Sequence, residues 1–455
     1  TGTLSSDDTT IYRLSSDEEK DSDSSLFHRL PSKKSNKTTY RLAKPLYGLK
    51  QAGRCFHNSK VKQLESFGFK RSTADSCLFI YDVDGVRLIL LSHVDDILFI
   101  YDDKCPRTMA KREEFKKHFG KRFDYEDNGP VHHYLGLAIR RNREDGRLSI
   151  GQVAFVKRVI AKYRKQIKKC NTPANVSDDL NVDIKDTNEK ASNHGHTLRE
   201  VVGALIYIST GTRPDIAYAV SALASHVSHP LDKHYAAAEQ ILNYLDTNLH
   251  VGIVYDTKLI FDPRGGTEHN GTVSLKNWGF TGFSDANYAK CSRTRRSRSG
   301  IQIMLCGGCI IWISKMQTVI ALSSTESEYN AVCTLGQEIC YVNRLMRDIM
   351  PAVEKLKWKN MESKSKNPEL VATCQIFCDN MSALKIVKDP FSMRRTRHVE
   401  VKALKIREWI DDGTLSLDFV QSSDMLADWL TKAPTRKSFE SNRDNSIGTV
   451  SYTHL

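Results

Sequence analysis

The sequence predicts a multidomain α+β protein, and three observations carry that expectation. Short apolar runs alternate with amphipathic stretches between residues 39 and 150, the pattern of an antiparallel sheet with helices packed on it. Residues 197–250 read as mostly helix. From Trp278 a second alternation of strands and helices begins. A chain of 455 residues that is 40% hydrophobic has the length for roughly two to four domains with cores of their own.

Composition narrows the class. No apolar run reaches about 18 residues, so no transmembrane helix is expected. The first residues, Thr1-Gly2-Thr3, include neither a Met nor a signal-peptide apolar stretch, and the chain reads as a piece of a polyprotein. Its 11 cysteines are scattered and odd in number. That excludes a disulfide framework and favours a reducing, intracellular compartment, a cytoplasmic particle or the nucleus. A net charge of +13 suits a polyanionic partner.

Taken in order, residues 1–38 are rich in Ser, Asp, Glu and Lys and too poor in apolar residues to offset ordering entropy, so disorder is expected. After Pro45 and a Tyr47-Gly48 turn, apolar spacing predicts a helix over 52–67 and then a strand over 77–81. Asp84-Gly85 is a hairpin signal leading into RLILLSHVDDILFIYDD, residues 87–103. There two Ile/Leu/Val runs, 88–91 and 97–100, predict antiparallel strands with a tight turn at Asp95-Asp96. A helix over 104–119 follows, then a hairpin from residues 134–139 and 148–150 around Asp145-Gly146. Residues 152–169 read as a basic amphipathic helix, and 171–190 as a polar linker. The helical stretch 197–250 and a second linker come next. The last unit reads as strands over 280–284, 301–305 and 310–314, a helix over 325–350, a strand over 371–378, helices over 381–388 and 398–411, a strand over 415–420, and a final helix opening at 424–431.

Carboxylates mark the candidate chemistry. A bare Asp95-Asp96 reads as a solvated acidic turn, or as a Mg²⁺ site if its charges are taken out of water. In the last unit Asp285 closes a strand, Glu328 lies in the first turn of the long helix, Asp379 closes a second strand, and Asp428 opens the last helix. Singly, these also read as a turn residue, a helix-dipole partner, an N-cap and a surface acid. Together, carboxylates at strand ends and helix starts converge on one sheet face. They then repel unless divalent cations neutralise them, and two Mg²⁺ ions would activate water for attack on a phosphodiester. Arg293, Arg295, Arg296 and Arg298 form a basic loop suited to phosphate, or simply to solvent. Cys306-Gly-Gly-Cys309 has metal-like spacing, but Gly-Gly is an ordinary hairpin turn and no second Cys or His pair lies near. Cys374 and Cys378 share one strand face, where burial is expected.

These residues carry a resemblance. LAKPLYGLKQAGRCF, LLSHVDDILF, HYLGLAI, TRPDIAYAV, GFSDANYA, ALSSTESEYNAV, CDNMSALKI, RRTRHVEVK and MLADWLTK follow the order of blocks in Ty1/copia-type retrotransposon Pol polyproteins. Residues 39–440 resemble their reverse transcriptase–ribonuclease H region. The resemblance implies an acidic segment 1–38, a partial polymerase palm over 39–190 with an antiparallel sheet, and a helical thumb or connection over 191–261. It further implies a linker over 262–274, a ribonuclease H-like α/β domain with a mixed sheet over 275–440, and a tail over 441–455. Asp95 and Asp96 match the polymerase-box acids, and Gln51 matches a position near the incoming nucleotide. Asp285, Glu328, Asp379 and Asp428 match the ribonuclease H set. Glu328, followed by Tyr329, fits better than Glu326, which reads as helix N-terminal charge. His398 matches a recurrent His without an assigned role.

The implied cofactors are Mg²⁺ or Mn²⁺, two ions per site. The implied partners are an RNA–DNA hybrid, template-primer and dNTPs, with no membrane. Two departures qualify this. His93 stands where the box has Tyr or Phe, and no block in residues 1–38, including Asp7 and Asp8, resembles the strand bearing the third polymerase carboxylate. Impaired polymerisation beside intact RNA hydrolysis is therefore expected. The alternative is a degenerate, non-catalytic nucleic-acid-binding remnant, or a subunit that self-associates or pairs with an intact copy. A protease-resistant fragment is expected to begin near Asn270.

Overall fold

The computed structural model describes residues 11–13, 27–30, 39–42, 48–176, 180, 191–256, 259–262, 266–269, 281–350, 373–388 and 400–449. The chain divides into two units, Thr1–Asp127 and Asn128–Leu455. This division falls well before the boundary expected at residue 190.

In the first unit β1 (Ile11–Arg13), β2 (Phe27–Leu30) and β3 (Thr39–Leu42) pair antiparallel in the order β1-β3-β2. Two of these strands fall inside the stretch expected to be disordered. They use its few β-forming residues, such as Ile11, Tyr12 and Phe27. Helix α1 (Ala52–Phe67) has the expected bounds and stops at Gly68, whose φ of 108° returns its N–H to the last turn. A four-stranded antiparallel sheet follows, β4 (Lys70–Arg71), β5 (Leu78–Val83), β6 (Val86–His93) and β7 (Asp96–Tyr101), in that spatial order. Asp84 and Gly85 both take positive φ, 52° and 74°, as a two-residue hairpin turn requires. On β6 Val86, Leu88 and Leu90 are buried at every second position. Their face packs against Val61 and Leu64 of α1 and Phe115 and Phe119 of α2 (Pro106–Gly120).

The second unit opens with β8 (His133–Tyr134), β9 (Leu137–Asn142) and β10 (Arg147–Gly151). Helix α3 (Val153–Tyr163) ends six residues before the expected limit. Past Tyr163 the backbone exchanges helical hydrogen bonds for side chains of the helix Asp232–Thr247. Lys165 and Gln166 N–H donate to Glu239 (2.9 and 2.7 Å), Lys168 N–H to Asn243 (3.0 Å) and Cys170 N–H to Thr247 (3.2 Å). The start of the expected linker, through Asn175, is thus laid along a helix. Helices α4 (Leu198–Gly211), α5 (Ala217–Ala224) and α6 (Asp232–Thr247) then lead into β11 (Val251–Asp256). Between α4 and α5 the buried Arg213 and Asp215 form a bidentate pair (2.7 and 2.9 Å), and Tyr244 donates to the same carboxylate at 2.6 Å.

A hairpin of β12 (Leu259–Asp262) and β13 (Gly266–His269) overlaps the second expected linker. The last sheet has the order β16-β15-β14-β17-β18. Its members are β14 (Thr281–Asn287), β15 (Arg298–Leu305), β16 (Gly308–Met316), β17 (Cys374–Cys378) and β18 (Leu415–Phe419). Strands β14, β15 and β16 pair antiparallel, and β14, β17 and β18 parallel, so the sheet is mixed. Helices α7 (Ser324–Ile349), α8 (Met381–Lys388) and α9 (Glu400–Asp411) cover one face through Tyr329, Leu335, Leu384 and Trp409. Met425 and Leu426 cover Phe283 and Phe377 on the other.

The chain end is not a tail. Helix α10 (Arg436–Ser446) and β19 (Gly448–Thr449) close the helical core, with Phe439 and Ile447 packed among α3–α6 and β19 paired to β11 in the sheet β19-β11-β10-β9-β8. The final helix starts at Arg436, not at 424, because Pro434 offers no N–H and disfavours helix before it.

Candidate active site

The hairpin in the first unit is built as the apolar alternation predicts. Register pairs His93 with Asp96, which leaves Val94 and Asp95 as the turn. Val94 takes φ +44°, a strained conformation for a β-branched residue. Asp95 and Asp96 are both exposed, as is His93. The cation that sequence reasoning missed is Lys60 of α1, 3% exposed, whose Nζ donates to the Val94 carbonyl and faces Asp95. Burial lowers its pKa, and the Asp95 charge opposes that shift. A lysine on the apolar face of an amphipathic helix was the available signal. Gln51 is the N-cap of the same helix, half-exposed and nine residues from Lys60, about 13 Å along the axis.

The second constellation is buried. Asp285 lies inside β14 opposite Gly300 of β15, and Glu328 in the first turns of α7. Asp379 directly follows β17, and Asp428 sits on a short 3₁₀ turn, Asp428–Leu430, in place of the expected helix. A Cβ at Gly300 would meet Thr431 Cγ2 at 2.6 Å and the Ala427 carbonyl at 2.8 Å, so only glycine lets this turn lie on the sheet. Each carboxylate has a neutral or cationic handle. The Thr431 hydroxyl contacts Asp285, Ala286 N–H donates to Glu328 at 3.3 Å, Ser422 donates to Asp379 at 2.7 Å, and Lys432 pairs with Asp428.

Asp285 lies within electrostatic reach of Asp379, Asp428 and Glu328, and Asp379 of all three others. Burial, with Asp428 and Asp379 adding, raises Asp285 to about 6. Burial, then Asp285 and Asp379, raises Glu328 to about 9. Burial also raises Asp428, against the pull of Lys432. Glu328, Asp379 and the Cys378 thiol offer atoms within 4.8 Å of one another. The Cys378 thiol donates to Glu328 at 3.9 Å, a contact that burial alone did not foretell. Hard oxygen donors whose charges repel fit a divalent cation such as Mg²⁺.

The remaining candidates separate. Ser323 caps α7 by accepting from Glu326 N–H at 3.1 Å, and the Glu326 carboxylate, in the first turn, accepts from Leu322 N–H at 2.6 Å. Arg293, Arg295 and Arg296 are exposed on the loop. Arg298 is not part of that exposed set; it is 8% exposed and bonded to Ser221 at 2.6 Å, because as the first residue of β15 it points into the protein. Cys306 and Gly307 form the turn, with φ 49° and 76°, while Gly308 packs against the β11 backbone and Cys309 is buried. His398, Asp7 and Asp8 lie outside the described residues.

Residues 24–175 match the family described as Reverse transcriptase (RNA-dependent DNA polymerase). The chain is 31% identical over 406 residues to the Retrovirus-related Pol polyprotein from transposon TNT 1-94 of Nicotiana tabacum, covering 88% of the chain and 27% of that protein. The chain belongs to the reverse-transcriptase-containing Pol region of Ty1/copia-type retrotransposons. The corresponding polyprotein from transposon RE1 of Arabidopsis thaliana is 28% identical over 413 residues, covering 90% of the chain and 25% of that protein. The chain thus spans about a quarter of the length of these Pol relatives. A solved foamy viral protease-reverse transcriptase in complex with dsDNA is 12% identical with TM-score 0.39, covering 86% of the chain and 62% of its own, a likeness too slight to carry weight. Among the described residues of this Pol region, no helix is long and apolar enough to cross a membrane.

Proposed function

We propose that this Pol segment hydrolyses the RNA strand of RNA–DNA hybrids at Asp285, Glu328, Asp379 and Asp428, in a ribonuclease H-like domain. The observation that carries the reading is geometric: the carboxylates of Glu328 and Asp379 offer ligand atoms within 4.8 Å of one another at the sheet end where Asp285 is buried. The four acids would hold two Mg²⁺ or Mn²⁺ ions, which when bound supply charge neutralisation and an activated water. Thr431 fixes the Asp285 carboxylate, the Ala286 amide fixes Glu328, and Ser422 fixes Asp379. Glu328, raised by burial and then by the Asp285 charge, would give up its proton to serve as a ligand. Lys432 pairs with Asp428.

RNA-directed DNA polymerisation is the family's activity, and Asp95 and Asp96 are the proposed polymerase acids of this chain, with Gln51 toward the dNTP and the template-primer as partner. Their exposure, with Lys60 facing Asp95, supports a weaker metal site than the buried set. The test is cleavage of a labelled RNA–DNA hybrid with Mg²⁺ by the chain and by Asp379→Asn. Equal cutting by both sinks the reading.

The second reading is a non-catalytic nucleic-acid-binding remnant or partner subunit. The Lys432 ammonium on Asp428 favours it, because a built-in cation already offsets one acid. Mn²⁺ binding that is lost in Asp379→Asn excludes it, and size measured across concentrations addresses self-association.

A further inference from the structure

A groove of about 420 Å³ lies in the second unit between the loop 290–298, helices α5 and α6, and residues 173–175. Lys290, Arg293, Arg296 and Arg298 line it, and no Asp or Glu among the described residues does. Arg298 is the unusual member. The residue is 8% exposed, and its guanidinium is bonded to the hydroxyls of Ser221 (2.6 Å) and Ser314 (3.3 Å) and lies 5.4 Å from the Tyr218 ring centroid. All these partners are neutral, so the buried charge has no carboxylate to balance it among the described residues, an arrangement that favours an anion from outside. A planar guanidinium is suited to phosphate oxygens. Thr431 also lines the groove while its hydroxyl contacts Asp285, and Asn287 donates to the Thr431 carbonyl at 3.4 Å.

We propose that this groove binds a phosphate group of a nucleic-acid strand, with Arg298 as its floor and Lys290, Arg293 and Arg296 as its rim. The inference rests on the hybrid-cutting reading for the identity of the strand, but not for the anion chemistry. A strand held there continues toward the acids through the Asn287–Thr431 contact.

The test measures binding of a labelled RNA–DNA hybrid to the full chain in chelator, over a range of salt. Arg293→Ala/Arg296→Ala weakens binding and lowers the salt slope by about one unit per lost phosphate contact. Arg298→Met does the same with an unchanged circular dichroism spectrum. Should Arg298→Met fail to fold, the exposed double variant decides alone. Cys291, which lines the groove, gives a second readout, and bound hybrid slows its alkylation by iodoacetamide. Unchanged affinity and salt slope in the double variant overturn the proposal. So does protection of Cys291 by inorganic phosphate without protection by the hybrid. Hybrid binding that needs the arginines but leads to no cutting leaves this site standing and removes the proposed activity. Cutting with arginine-independent binding does the reverse.

Discussion

The protein carries two groups of acids, and they are solved differently. Asp95 and Asp96 stand in water at a hairpin tip, next to one lysine. Solvent screens them, and nothing there forces a partner. Asp285 and Glu328 are 6% and 5% exposed, and burial with the charges of Asp285 and Asp379 drives Glu328 to about 9. Burial, more than the number of acids, turns a cluster into a site that demands a cation or a proton.

Activity gives the largest break in this comparison. Asp285→Asn is expected to lower hybrid cleavage by more than about 100-fold, since even residues behind a metal ligand cost 10–100-fold. Asp96→Asn is expected to leave it unchanged. Loss of cleavage in Asp96→Asn would show that the two constellations act together.

Stability comes next. Arg213→Met leaves Asp215 buried without its cation, and should destabilise the Asn128–Leu455 unit by about 3–5 kcal/mol in denaturant unfolding. Limited proteolysis sharpens the same point. Because α10 and β19 close the core of α3–α6, the resistant fragment should begin near Asn128, rather than near Asn270 as the sequence led one to expect. A fragment starting at 270 would mean that this shared core does not hold.

A subtler difference is in pH. Glu328's folded pKa of about 9 lies above the ordinary 4.5, so the stability tied to its proton is complete below pH 4.5 and lost as pH rises through 9. Asp285, raised to about 6, adds to the loss between 3.8 and 6. Thermal melting in chelator should therefore fall across that range, and Glu328→Gln should flatten the upper part. Melting that is flat in the unmodified chain would place Glu328 in water.

The smallest expected effect is at Lys60→Met, about 1–3 kcal/mol on the first unit through the lost bond to Val94. Hybrid cleavage should not move.

What the sequence determined by itself was local. Apolar spacing set α1 at Ala52–Phe67 and α8 at Met381–Lys388, and the Asp84-Gly85 turn set its hairpin, whereas the turn expected at Gly307-Gly308 falls one residue earlier, at Cys306-Gly307. Those features depend on residues a few positions apart, so a window of sequence contains their cause. Of the four acids, Glu328 near a helix start and Asp379 after a strand end sit where the sequence put them, whereas Asp285 lies inside β14 and Asp428 on a 3₁₀ turn instead of a helix. Tertiary structure alone decided where α3 stops, because Glu239, Asn243 and Thr247 sit about 75 residues away. It decided that Arg298 turns inward, that Lys60 meets the acid hairpin, and that the last residues complete a core begun near Val156. Each of these is fixed by burial against a distant element, and burial is a property of the packed chain rather than of any stretch within it.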